Sequence, residues 1–153
     1  MEEHRTLNTE HRTSKLERRG QAGAPGQLYD LEERLLNYAA EIIKSTEKLP
    51  SSRAGNHVAG QLLRSGTSPL SNHGEAEAAE SHDDFVHKLK VCLKELRESL
   101  RWIRLVRKSQ LRSESQVLPL EKESDELIRI FVASIRTSKQ RALDKNRRVA
   151  PTG

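Results

Sequence analysis

A single cysteine, Cys92, stands in a chain of 153 residues. It can build no disulfide framework, and no CxxC or Cys/His cluster offers the spacing of a zinc site, so the chain fits a reducing cytoplasm. No uninterrupted apolar run approaches the ~18 residues of a membrane helix. The opening MEEHRTLNTEHRTSKLERRG contains no apolar stretch that could serve as a signal core. A soluble, cytoplasmic protein without a membrane partner is expected. The GxxxxGK[ST] loop that cradles phosphates is missing, and Ser, His and Asp are too scattered to form a triad. Helical bundles that hold di-iron sites need Glu-x-x-His pairs, and none occurs. The cluster Asn72, His73, Glu75, Glu77, Glu80, His82, Asp83 and His87 reads as exposed capping residues, so no metal, cofactor or catalytic residue is expected. Aromatics amount to one Trp, two Tyr and two Phe. They mostly share helix faces with aliphatic residues, which weighs against reading single-stranded bases by stacking.

Apolar residues make up only 34% of the chain, but they are unevenly placed. Residues 1–26 and 144–153 are almost devoid of them, and the middle is long enough to bury a core. The domain reading is a disordered or weakly ordered leader over 1–27, a folded unit over 28–143 and a basic disordered tail over 144–153. The net charge of +5 comes from the ends, because residues 27–138 carry equal numbers of acids and bases. The basic end, Lys139, Arg141, Lys145, Arg147 and Arg148, reads either as a contact for a polyanion or as a solvated helix end.

Within the middle, four helical patterns follow one another and no strand pattern occurs. Asp30 suits a cap for the first, with Leu31, Leu35, Tyr38, Ala39, Ile42 and Ile43 at helical spacing until Leu49-Pro50. Ser51 and Ser52 suit a second helix carrying Val58, Leu62 and Leu63, weakened by Gly55 and Gly60 and kinked or restarted at Ser68-Pro69 before ending near Glu80. Phe85, Leu89, Cys92, Leu93, Leu96, Leu100 and Ile103 share one face of a third, from about residue 82 to 108. After a polar break, Leu120, Leu127, Ile128, Phe131 and Ile135 define a fourth, from about 118 to 143. The expected fold is all-α, an antiparallel up-down-up-down four-helix bundle.

Two features exceed what one bundle needs. The fourth helix spreads its apolar residues over roughly twice the ~100° of a single packed stripe. The third carries a second partial stripe beside its main face. Val91, Trp102, Leu105, Ile130 and Val132 are therefore candidates for contact between copies of the chain, although Trp102 alone could simply cover the bundle edge. The second feature is a row of cations, Lys90, Lys94, Arg97, Arg101, Arg104 and Lys108, at intervals of 4, 3, 4, 3 and 4 with no acid among them. Such a row can be solvated, can hold phosphates of RNA or DNA, or can pair with the acidic clusters Glu75–Asp84 and Glu121–Glu126.

Residues 61–106 then carry a recognisable pattern: Leu62, Leu63, Arg64 and Ser65; Ser68, Asn72 and Glu75; Asp84 and Phe85; and Glu95, Glu98 and Leu100 on a long Leu-rich helix. In these motifs the chain resembles the four-helix-bundle proteins encoded by intervening sequences within bacterial 23S ribosomal RNA genes, over about residues 29–140. Pro69-Leu70 and His73-Gly74 depart from the family pattern, and the leader lies outside it. The resemblance implies a ring-like homopentamer, no enzymatic activity, and a hydrogen-bonding rather than catalytic role for Asn72 and Glu75. It further implies relatives that serve diversity-generating retroelements by binding a reverse transcriptase and nucleic acid. Two functions stay open: a scaffold with a basic surface for nucleic acid, and a structural or protein-interaction module.

Overall fold

A computed structural model describes residues 25–149. Four α-helices account for nearly all of them, with no strand among the described residues: α1 (Pro25–Glu47), α2 (Arg53–Glu77), α3 (His82–Lys108) and α4 (Glu114–Val149). Each helix packs on the next in sequence, and α1 also touches α4. Their inward faces enclose one core, with Leu35 and Ile42 from α1, Leu62 from α2, Leu96 and Ile103 from α3, and Leu127 and Phe131 from α4 at its centre. No described helix is long and apolar enough to cross a membrane.

Local chemistry explains most boundaries. Ser52 caps α2 by accepting from the Gly55 amide at 3.0 Å, and Ser81 caps α3 by accepting from the Asp84 amide at 3.1 Å. Asp83 and Asp84 add favourable charge to the first turn of α3. At the far end of α3, Gln110 adopts the left-handed conformation with φ 57°. The Leu111 amide then bonds the Val106 carbonyl and the Gln110 amide bonds the Arg107 carbonyl, both at 3.1 Å, which closes the helix as a Schellman motif.

The other boundaries differ from the sequence reading. α1 begins at Pro25, five residues before the expected cap at Asp30, because proline is preset for the first helical position. α2 runs unbroken through Ser68-Pro69 and stops at Glu77, short of Glu80. Pro69 is buried there, and Asn72 Nδ2 bonds both the carbonyl and the Oγ of Ser68 at 3.0 Å. α4 starts at Glu114 rather than Leu118 and continues to Val149, so residues 144–149 are helical where a disordered tail was expected. Residues 1–24 of the expected leader and 150–153 of the tail lie outside the described residues.

Polar pairs tie neighbouring helices together. Along α2 and α3 they run Arg64 with Glu95 (3.2 Å) and Glu98, Ser65 Oγ with Ser99 Oγ (3.1 Å), the Pro69 carbonyl with Cys92 Sγ (3.5 Å), and Glu75 with Lys88. Along α3 and α4, Arg104 meets Glu121 (3.0 Å) while His82 Nε2 meets Ser138 Oγ (2.9 Å). Between α1 and α4, Arg34 reaches Glu123 and Glu126, Tyr38 reaches Ser124, and Arg112, just before α4, reaches Ser45. From Arg64–Glu98 to Glu75–Lys88, and from Arg104–Glu121 to His82–Ser138, residue numbers rise on one partner as they fall on the other.

Candidate functional site

The six cations of α3 lie on its outward face because the apolar residues of the same helix occupy the opposite one. Lys90, Lys94, Arg97, Arg101, Arg104 and Lys108 are all exposed. At a rise of 1.5 Å per residue, the row is about 27 Å long. Its two ends differ electrostatically. Arg104 Nε donates to Glu121 Oε1 at 3.0 Å and its guanidinium stands 3.6 Å from Asp125. Glu121, only 12% exposed, also accepts from Arg107 at 2.9 Å, and Arg107 reaches Glu114 at 3.3 Å. This cluster fastens the end of α3 to the start of α4 and neutralises the row there. The other five cations form no ion pair among the described residues.

Three of the remaining acids expected as counterions are engaged elsewhere. Glu123 and Glu126 hold Arg34, whose pKa their hydrogen bonds raise, Glu123 most. Glu75 holds Lys88 and raises its pKa. Glu95 and Glu98, on α3 itself, turn toward Arg64 of α2. Salt bridging therefore accounts for Arg104, and the Lys90–Arg101 stretch is left as free positive charge.

Sequence reasoning missed a second set of cations. Lys122, Arg129 and Arg136 recur every seven residues on α4, all exposed and without an ion pair among the described residues. From residue 127 to 143 the helix contains no acid. The heptad spacing was available as a signal, but α4 read chiefly as an apolar helix.

The expected self-contact residues scatter. Val91, Trp102, Ile130 and Val132 are half-buried, and Leu105 is 44% exposed. Trp102 lies in the α2–α3 seam, edge-on to His57 with ring centres 5.9 Å apart, and its Nε1 donates to Glu98 at 3.5 Å. Trp102 and Val132 pack against the core. Other exposed apolar side chains are Leu36 (50%) on α1 and Leu118 on α4, together with Ile43 (46%) and Leu63, which the sequence reading sets among the apolar positions of their helices.

Burial pushes the Cys92 thiol up to about 12, so it stays protonated. His73 is buried against Phe131 with ring centres 6.2 Å apart, and no group of three or more His, Cys, Asp or Glu side chains among the described residues could hold a metal ion. A groove of about 640 Å³ opens between α1 and α4, floored by Tyr38 and Leu120 and rimmed by Lys48 and Arg112. It lies away from the α3 row.

An all-α protein of four sequentially packed helices, with an exposed and largely unpaired row of cations, is the class these features define. The family model described as 23S rRNA-intervening sequence protein matches residues 30–133, and the chain belongs to that family. It is also similar to a crystal structure of a protein of unknown function from the S23 ribosomal protein family of Bacteroides thetaiotaomicron. That likeness has 30% sequence identity and a TM-score of 0.65, covering 69% of this chain and 97% of that one. No curated protein matches.

Proposed function

We propose that the protein is a non-enzymatic scaffold that self-associates and binds RNA or other nucleic acid without sequence preference, through phosphates. The observation that carries this reading is the set of exposed, unpaired cations Lys90, Lys94, Arg97, Arg101 and Lys108 on one face of α3. Repulsion along such a row is relieved when phosphates replace counterions, and the released ions drive binding. With no aromatic platform on this face, the contact is to backbone rather than bases.

The scaffold itself is an antiparallel up-down-up-down bundle, a topology supported by the opposed residue order of its cross-helix pairs. Self-association is supported by exposed Leu36, Ile43, Leu63 and Leu105, and the ring-like homopentamer is the form that the family resemblance implies for it. Val132, half-buried and packed against the core of its own bundle, offers a neighbouring copy less surface than these side chains. The protonated, buried Cys92 suits a reducing cytoplasm and a protein without a thiol nucleophile.

Light-scattering mass, measured with and without a structured RNA at low and moderate salt, tests this. A defined oligomer that gains RNA mass at low salt and loses it at moderate salt is expected. In the triple variant Lys94→Glu, Arg97→Glu, Arg101→Glu, the RNA gain should vanish while the oligomer persists. An oligomer indifferent to RNA at every salt would overturn the nucleic-acid reading in favour of a protein-interaction module. A monomer would overturn self-association.

A further inference from the structure

The α3 row has a companion. Lys122, Arg129 and Arg136 stand on the flank of α4 that faces outward beside α3, since Glu121 and Asp125 occupy the flank turned toward Arg104. Arg104 meets Glu121 at one end of the α3–α4 pair and His82 meets Ser138 at the other. Between these fixed points, Arg129 stands about level with Lys94, and Arg136 about level with Phe85, roughly one turn beyond Lys90. Packed helices lie about 8–10 Å apart. The two sets therefore form two cationic rows at about that separation, with Ile128 and Val132 packing on the core from α4.

No acid interrupts this two-row face between Arg129 and Arg136 on α4 or between Lys90 and Arg101 on α3. Residues 127–143 of α4 contain none, and Glu95 and Glu98 of α3 are bound by Arg64 on the other side of the helix. Asp125 stands between Lys122 and Arg129, beside Arg104, so the acid-free part of the α4 row is Arg129 and Arg136.

A single nucleic-acid strand offers one row of phosphates, and its bases need stacking partners that this face lacks: Trp102 is in the α2–α3 seam, Tyr38 and Phe131 are in the core, and Phe85 packs against it. A duplex offers two phosphate rows across its narrower groove. That groove is about 6 Å wide in the minor groove of B-DNA, and A-form RNA has a narrow major groove bounded in the same way. Lysine and arginine side chains are long enough to adapt rows on neighbouring helices to either.

Resting on the nucleic-acid reading above, we infer that the α3–α4 face takes a duplex, with the α3 row on one backbone and the α4 row on the other. The shared chemistry is a pair of phosphodiester rows, in DNA or RNA.

Fluorescence anisotropy with the full chain tests this, using labelled RNA and DNA duplexes of about 20 base pairs and the single strands of the same sequence. Duplexes should bind about tenfold more tightly than single strands at equal salt, because more phosphates are neutralised. The double variant Arg129→Gln, Arg136→Gln, checked for unchanged circular dichroism, should lose most of that preference while holding single-strand affinity within about twofold. Preference for the RNA or for the DNA duplex supports the inference equally and identifies the source of the phosphate rows. Single strands bound as tightly as duplexes, or a double variant that weakens both alike, would overturn the duplex inference and leave the nucleic-acid reading standing. Absence of binding to every probe at low salt would overturn both.

Discussion

Gly66 of α2 lies directly against Ile42 of α1: a Cβ built on the glycine would come within 2.7 Å of both Cγ1 and Cγ2 of that isoleucine. Ile42 is fully buried and branched at Cβ, so it has little freedom to retreat. The two helices approach closely only because the glycine has no side chain.

Gly60, on the same helix, has nothing within 4 Å of an added Cβ. Alanine there should stabilise the protein by about 0.5–1 kcal/mol through helix propensity and a less flexible unfolded chain. At Gly66 the same gain is opposed by overpacking that costs about 1–3 kcal/mol. Urea unfolding should therefore rank Gly60→Ala above the native chain and Gly66→Ala below it. Equal effects at both positions would contradict the close approach of α1 and α2.

Buried protons set the alkaline limit of the fold. Burial pushes Tyr38 up to about 12 from an ordinary value of 10.0, with its 2.8 Å hydrogen bond to Ser124 pulling less strongly the other way. Cys92 is likewise pushed from 9.0 to about 12 by burial. Above pH 9 the unfolded chain releases these protons first, so it binds fewer than the folded chain and stability must fall as pH rises, until the folded groups titrate near 12. Tyr38→Phe should cost about 1 kcal/mol at neutral pH. It should also make the loss between pH 10 and 11 shallower, as read from unfolding free energies. An identical slope in the variant would place that loss on other groups.

His73 presents a different balance. It is 3% exposed, and its Nδ1 has no hydrogen-bond partner among the described residues. An unsatisfied buried polar atom costs about 1–3 kcal/mol, so His73→Leu, close in volume and apolar, should raise the melting temperature. A lowered one would show that the nitrogen is satisfied in solution.

How far these features could be read from sequence depends on whether a local signal or a neighbouring helix decides them. The limits of α3 were legible from one uninterrupted apolar face, and the cap at Ser81 with Asp83 and Asp84 in the first turn fixes its start in the structure. At Pro69 the sequence reading of a helix that continues past Ser68-Pro69 holds: α2 is one helix from Arg53 to Glu77, with the buried Pro69 carbonyl accepting from Cys92 of α3. The end of α4 was set too early by loss of apolar residues; no proline or glycine interrupts the chain between Pro119 and Val149, and the helix continues. The α3 cations were plain from their spacing. The neutralisation of Arg104 was not, since it depends on which residues α4 brings level with it, and the same ignorance of register hid Arg129 and Arg136.

That division between free and paired cations is the core of the functional account, and the salt dependence of binding measures it directly. The logarithm of affinity for a duplex falls with the logarithm of salt by about 0.9 per phosphate neutralised. Affinity should be measured across a salt series for the native chain and for Lys94→Gln, Arg97→Gln and Arg104→Gln. Lys94→Gln and Arg97→Gln should each reduce the slope by about 0.9, and Arg104→Gln, already paired with Glu121 and Asp125, should reduce it by less. Slopes unchanged in all three variants would contradict the assignment of phosphate binding to this face of α3.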